Sequence, residues 1–299
     1  MRQTHRITSF VFQAVEPSVE TTPNEGSHVK IRLGNGLVRA YSIVHGSKGR
    51  FEIGVALDDD SRGGSKYLHE RVHEGDVLQV GTMTPGIESN GMASNHVFIV
   101  AGIGITAFLW LAEAMVGINW SVQIHYGVRN KEDMPFKKRI EKLGERVVLY
   151  NKLNGERMDV QNIIMSMPWN SQVYVCGPRR LMDDALKATQ VAGLGEKDVH
   201  FEAFEADVGG DPFEIVVRNR AERKLKVDAE ETLLEVLQKA FGDEVGSSCE
   251  VGNCGTCKVR VKCGKVEHRG TALTSEEKES EMLSCVSRGI GKIEIEILE

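Results

Sequence analysis

The 299-residue sequence has no run of lysine or arginine long enough to form an electrostatic footprint for nucleic acid, and its net charge is −6 with a pI near 5.9. Nucleic acid is therefore not an expected partner. The first ten residues, MRQTHRITSF, lack the apolar core of a secretory signal. Cysteines are few, six in all, and suggest no disulfide framework, which points to a reducing compartment and a cytoplasmic protein. No internal repeat or low-complexity tract occurs. Phe98 to Ile118 is about as long as a membrane span and carries one charge, at Glu113. Its β-branched start, the break at Gly102 and Gly104, and the apolar run Thr106 to Met115 read instead as a buried strand, a glycine turn and a packed helix. No membrane insertion is expected.

A hydrophobic content of 41% at this length suits two or three globular domains with real cores. Four of the cysteines are the most informative residues. Cys249, Cys254 and Cys257 form Cys-x4-Cys-x2-Cys, followed at a distance by Cys285, the spacing of a plant-type 2Fe-2S cluster. Gly246, Gly252 and Gly255 permit the tight wrap that turns backbone N–H groups toward sulfur. A four-thiolate zinc site is the alternative, but such sites usually pair two Cys-x2-Cys knuckles, and Cys285 stands alone.

Three segments follow one another. From Ile7 to about Gly91, short alternating runs (SFVFQAV, HVKIRL, VRAYSIV, RFEIGVAL, VLQVGTM) separated by turn residues predict a small antiparallel β-barrel. From Asn95 to about Phe204, apolar strands alternate with helices near Pro135 to Leu143, near Val160 and over Arg180 to Val191, which predicts an α/β domain with a parallel sheet. After the connector ADVGGDP, the strands FEIVVR, LKVDAE, CKVRVKCGKV and IEIEIL surround a helix over Thr232 to Phe241 and the cysteine loop, an α+β arrangement. The expected domains are 1–92, 93–205 and 206–299.

Several motifs suit cofactor binding. The turn AGIGITAF follows a strand and opens a helix, where N–H groups face a pyrophosphate; a Gly-x-Gly turn at a strand end also serves plain tight packing. Cys176-Gly177-Pro178 ends the strand QVYV, placing Cys176 toward a ligand crevice or, as for many free cysteines, in the core. Arg39, Tyr41 and Ser42 put a guanidinium, a flat ring and a hydroxyl on one strand, suited to a phosphate and a heterocycle, though the same pattern fits an ordinary half-exposed strand. Arg62-Gly63-Gly64-Ser65 precedes a helix and offers anion donors.

Taken in order, RAYS, SRGGSKYLHE, GIGIT, VCGPRRLM, HFEAF and the four cysteines make the chain similar to the phthalate dioxygenase reductase family over nearly its whole length. The resemblance implies an antiparallel β-barrel flavin domain, an α/β parallel-sheet nucleotide-binding domain and an α+β (β-grasp) ferredoxin domain. It implies that Arg39, Tyr41 and Ser42 contact the flavin, that Val55, Ala56 and Leu57 line it through backbone, and that Gly63, Gly64 and Ser65 bind its phosphate. Phe204 matches the aromatic residue covering the flavin ring. Gly102, Gly104 and Thr106 match the nucleotide turn, and Cys176, Gly177 and Pro178 match residues beside the nicotinamide. The implied activity is electron transfer from a nicotinamide through FMN, with FAD an open alternative, to the 2Fe-2S cluster and on to a terminal oxygenase or other one-electron acceptor protein. From a cluster near about −400 mV to a Rieske centre near about −150 mV, delivery is downhill by roughly four decades.

Two features depart from the family pattern. Ala101 and Ala107 replace the first and last positions of Gly-Gly-Ile-Gly-Ile-Thr-Pro, which bears on nucleotide affinity. The family also places another barrel strand before the segment matching ITSFVF, so either the barrel opens differently or, the reading preferred here, the chain is the tail of a longer product. NADH is the expected donor; Arg129 and Lys131, where the adenosine ribose is expected, leave NADPH open. Two rival functions remain. His69-Glu70-Arg71-Val72-His73 matches the zinc-peptidase pattern His-Glu-x-x-His, with Glu88 a speculative third ligand. A noncatalytic iron-sulfur carrier with decayed flavin and nucleotide sites is the other. Cys263, Trp110 and Trp120 read as packing residues, and SEEKESE as a solvated surface or a docking strip.

Overall fold

A computed structural model describes residues 1–15, 22–59, 63–85, 92–204 and 209–298. Arg62, Glu88 and the connector residues Ala206, Asp207 and Val208 lie outside the described residues. Backbone packing divides the chain into two compact units, Met1–Glu202 and Ala203–Glu299.

The first unit opens with β1 (Ile7–Gln13), β2 (His28–Arg32), β3 (Val38–Ser47), β4 (Arg50–Ala56), α1 (Gly64–Arg71) and β5 (Gln79–Thr84). The strands form an antiparallel sheet in the order β1-β4-β3-β2-β5. Alternation in HVKIR turns Val29 and Ile31 inward to meet Ile43, Ile53 and Leu68 of α1. Each such buried aliphatic contributes about 1.5–3 kcal/mol.

Next come β6 (Asn95–Ala101), α2 (Ile105–Gly117), β7 (Ser121–Val128), α3 (Lys137–Lys142), β8 (Val147–Asn151), α4 (Val160–Met165), β9 (Ser171–Cys176), α5 (Arg179–Val191) and β10 (Val199–Phe201). All five strands run parallel in the order β10-β9-β6-β7-β8. Being buried on both faces, β6 and β9 read as continuous apolar runs: in β6, Phe98 and Val100 join one core, Val97 and Ile99 the other. The strand order reverses between β6 and β9, the switch point where open parallel sheets bind ligands. Phe98 to Ile118 is the expected strand, turn and helix, and no helix among the described residues is long and apolar enough to cross a membrane.

Close contacts make the two sheets one unit. Arg139 pairs with Glu113 and donates to the Val44 carbonyl at 2.9 Å. A side chain at Gly54 of β4 would meet Thr106 at 2.8 Å and Phe136 at 3.0 Å, and one at Gly46 would meet Trp110 at 3.2 Å.

The second unit contains β11 (Phe213–Val217), β12 (Arg223–Val227), α6 (Leu233–Phe241), β13 (Lys258–Glu267), β14 (Glu281–Leu283) and β15 (Arg288–Ile297). The sheet order is β12-β11-β15-β13-β14, with β11 and β15 parallel and the other pairs antiparallel. Thr232 and Glu235 cap α6 reciprocally, and Leu233, Leu234, Val236 and Leu237 bury its inner face against the sheet. Two findings depart from the sequence expectations, and a third lies outside them. β14 falls at the end of the acidic run, where Lys258 holds Glu277 at 2.7 Å and Glu281 at 3.3 Å, so this stretch is partly pinned. Cys263 is exposed rather than packed, because register shifts on both sides of it interrupt the alternation of β13. Finally, Arg288 is buried and donates to the backbone carbonyls of Asp211, Asp228 and Glu231 at 2.9 to 3.2 Å, while stacking on Phe213.

Candidate functional site

The cysteine loop is shaped by residues in the left-handed region: Glu250 at φ 58, Gly252 at φ 83 and Gly255 at φ 73. A side chain on Gly252 would also strike Gly270, whose Cα would lie 2.8 Å away. The loop gathers the thiols in two pairs. Cys257 and Cys285, both buried, have their sulfurs 3.1 Å apart, and Cys249 and Cys254 are hydrogen-bonded to each other. The Asn253 amide donates to Cys249 Sγ at 3.3 Å, and the Cys249 amide to Cys254 Sγ at 3.5 Å. Thr256 Oγ1 lies 3.3 Å from Cys254 Sγ. Within each pair the thiol hydrogen bond favours one thiolate: Cys254 and Cys257 are held low, Cys249 and Cys285 pushed up. Paired thiolates with N–H groups aimed at sulfur fit an iron-sulfur cluster.

In the barrel, Arg39, Tyr41 and Ser42 lie on β3. Gly63 is left-handed at φ 92 and caps α1, and a side chain on Gly64 would meet Arg39 at 2.9 Å. Burial pushes Tyr41 up to about 12, with Arg39 opposing the shift. Ser65 Oγ accepts the Asp58 amide at 3.2 Å. Glycines, guanidinium and helix start therefore come together as a phosphate cradle requires. The backbone assigned to the flavin at the end of β4 is less free than the sequence suggests. The Val55 carbonyl lies 3.0 Å from His69 Nε2, and Leu57 exchanges hydrogen bonds with Arg6 through both its N–H and its carbonyl.

The nucleotide turn runs Gly102–Gly104 and leads directly into α2. Gly102 sits at φ 56 with open space where a Cβ would be. Gly104 is required for a different reason: its Cβ would lie 2.4 Å from the Cys176 carbonyl oxygen. Thr106 is buried and donates to the Ile103 carbonyl at 2.8 Å. Gly177 and Pro178 lie between β9 and α5, and Arg129 is exposed just beyond β7. Ala107, in the proline position of the family pattern, packs into the core. Cys176 is covered by the Gly104 turn at 1% exposure instead of opening on a crevice, and burial, then Glu202, pushes its thiol well up.

Glu202 is a candidate site residue that none of the sequence motifs singles out. Its Oε1 accepts from Ser42 Oγ at 2.5 Å beside Cys176, and burial raises its carboxyl to about 7 against the opposing pull of that hydrogen bond. The signal was a lone carboxylate in HFEAF, at the end of a buried parallel strand. Phe204, from the same motif, belongs to the second unit and is 39% exposed.

The zinc-peptidase pattern does not assemble. α1 ends at Arg71 and Val72 is extended, so His73 leaves the helical face of His69 and its ring lies 3.9 Å from Asp76.

Residues 216–288 match the 2Fe-2S iron-sulfur cluster binding domain family. A "Reductase" of Gibberella moniliformis is 37% identical over 87% of the chain, which spans 48% of that relative, about half its length. The heme-dependent oxidative N-demethylase beta subunit of Ectopseudomonas mendocina is 35% identical over 95% of the chain and 92% of its own length. The solved structure of phthalate dioxygenase reductase, described as modular for electron transfer from pyridine nucleotides to [2Fe-2S], superposes with a TM-score of 0.72 at 26% identity, covering 99% of this chain and 94% of that one. An antiparallel sheet, a parallel sheet with its glycine turn at the switch point, and a cysteine-bearing mixed sheet recur along one chain, and on that ground the protein belongs to the phthalate dioxygenase reductase family of flavin- and nicotinamide-dependent 2Fe-2S oxidoreductases.

Proposed function

We propose that the chain is the reductase component of an oxygenase system, using NADH, FMN and a 2Fe-2S cluster to supply single electrons to a partner protein. The observation that carries this reading is the cysteine loop, with its two thiol pairs and inward-facing N–H groups. The chemistry a bound FMN would supply is the conversion of a two-electron hydride from the nicotinamide into single electrons for the cluster. Cys249 and Cys254 would hold one iron, and Cys257 and Cys285 the other. Arg39, Gly63, Gly64 and Ser65 would bind the flavin phosphate, Tyr41 and Ser42 its ring, and Val55, Ala56 and Leu57 its edge. Gly102, Gly104, Thr106, Arg129, Gly177 and Pro178 would hold the nicotinamide nucleotide, with Cys176 packed beneath the Gly104 turn.

Glu202 keeps Ser42 Oγ oriented as its donor, which leaves the hydroxyl lone pairs free to accept. With its carboxyl raised to about 7, Glu202 can keep or release a proton in the neutral range. A division at 1–92, 93–205 and 206–299 is supported by three separate sheets. The acceptor is read as an oxygenase with a Rieske-type centre. A cytoplasmic location is supported by Cys176 and Cys263, the cysteines outside the proposed cluster, which form no disulfide.

An anaerobic NADH titration followed in the visible range, with iron and flavin measured on the same sample, tests the reading. Two irons and one FMN per chain are expected, with both chromophores bleached by NADH and more slowly by NADPH. Zinc without iron, or a cluster that NADH does not reduce, overturns it.

A further inference from the structure

Helix α2 is largely apolar, and the side chain of its one charged residue, Glu113, is only 28% exposed. A carboxylate so far withdrawn from water needs a partner. Arg139 of α3 supplies it, donating from Nε to Oε1 at 2.9 Å and from Nη2 to Oε2 in a bidentate fork. The same Nη2 reaches the Val44 carbonyl of β3 at 2.9 Å, and the guanidinium lies 5.7 Å from the centre of the Phe136 ring. Val44 is unlike its neighbours on that strand. Pairing of β3 with β2 ends at Ser42, and the register with β4 passes from Ile43 to His45, so Val44 is the extra residue of a β-bulge. Fully buried, it packs into the core shared by α2 and the parallel sheet, not into the barrel core, and gives its carbonyl to Arg139. The strand assigned to the flavin thus hands one residue over to the nucleotide-binding sheet.

We infer that Arg139 is a positioning residue for hydride transfer, locking β3 to α2 so that the strand bearing Arg39, Tyr41 and Ser42 keeps its place against the turn Gly102–Gly104 that opens α2. This inference rests on the flavin and nicotinamide reading above. Every bond of the lock lies inside the compact unit Met1–Glu202. The transfer moves one hydride, a hydrogen nucleus with two electrons, from the dihydronicotinamide to the flavin; the first is oxidised, the second reduced, and Arg139 neither gains nor loses a proton. Lysine at position 139 could satisfy the carboxylate or the carbonyl, but it lacks the planar fork that reaches both. Glutamine at position 113 would keep the shape of the carboxylate and lose its charge.

The test is rapid anaerobic mixing of the holoprotein with NADH over a range of concentrations in Arg139→Gln, Arg139→Lys and Glu113→Gln. The limiting rate of flavin bleaching should fall about tenfold in Arg139→Gln, the shift expected from losing a hydrogen bond to a charged group, and about threefold in the other two. The NADH concentration that gives half the limiting rate should match the parent, as should FMN content, because neither the nucleotide turn nor the phosphate cradle is altered. Amide exchange in β3 and α2 of the resting protein should rise in Arg139→Gln, with Arg139→Lys between it and the parent. If Arg139→Gln does not fold, Glu113→Gln carries the test through the same split between limiting rate and half-saturating NADH. Parent-like limiting rates in the folded variants, or slowing that vanishes at saturating NADH, overturn the inference. If NADH does not bleach the flavin of the parent itself, the proposed function fails first.

Discussion

Met1–Glu202 holds 23 Lys and Arg against 23 Asp and Glu, whereas Ala203–Glu299 holds 14 against 20, so the entire net charge of −6 belongs to the second unit. The chemistry divides along the same boundary. In the second unit the proposed chemistry rests on four cysteine thiols. In the first it rests on glycine turns, backbone groups and ordinary hydroxyl, guanidinium and carboxyl side chains. A surface with excess charge steers a diffusing partner, and a balanced one does not. The second unit thus carries the charge to steer a partner of opposite sign, and the first does not.

Replacing Cys254 by Ser strikes the chemistry of the second unit alone. Cluster absorbance should vanish and delivery to a protein acceptor should fall at least about a hundredfold, while NADH still bleaches the flavin. Parent-like delivery would break the division drawn here. The reciprocal change is Gly104→Ala. Its new methyl meets the Cys176 carbonyl at 2.4 Å, so backbone must move, at a cost of about 3 kcal/mol. For a unit of this size that lowers Tm by roughly 2–4 °C per kcal/mol. Calorimetry should show the loss, and iron content should stay at the parent level.

Glu202 sharpens the comparison through pH. An isolated glutamic acid ionises near 4.5, but in the folded unit the group does so near 7. Between those values the native state retains a proton that the unfolded chain releases, so stability is fullest below about 4.5, declines as pH rises to 7 and is level above. Allowing for partial exposure, the total is about 2 kcal/mol. Denaturant melts of Glu202→Gln should lack this decline; an unchanged profile would remove Glu202 from the account. The smallest effect is expected at Ser65→Ala, which loses the Ser65 acceptor for the Asp58 amide. Flavin affinity measured by fluorescence should weaken about fivefold.

Legibility in the sequence follows the same contrast. The cysteine spacing and the parallel strands were readable because they depend on a rare residue type and on long apolar runs. The three residues of β14 were not, since they sit beside an acidic run whose pinning by Lys258 is a long-range event. The exposure of Cys263 depends on bulges that alternation alone does not signal. Glu202 was hidden for a related reason: a single carboxylate becomes notable only when Ser42, 160 residues away, is seen to bond it. Helix ends were also shifted. The expected Thr106 to Met115 proved to be Ile105–Gly117, because Gly102–Gly104 already coils into it.

Arg288 gathers carbonyls from two stretches that are distant in sequence, Asp228 to Glu231 and Asp211, the latter close to where the described chain resumes at Gly209. It stands three residues beyond Cys285. One guanidinium thus knots the entry of the second unit to the strand that follows its last cysteine, and neutralising it would loosen both together.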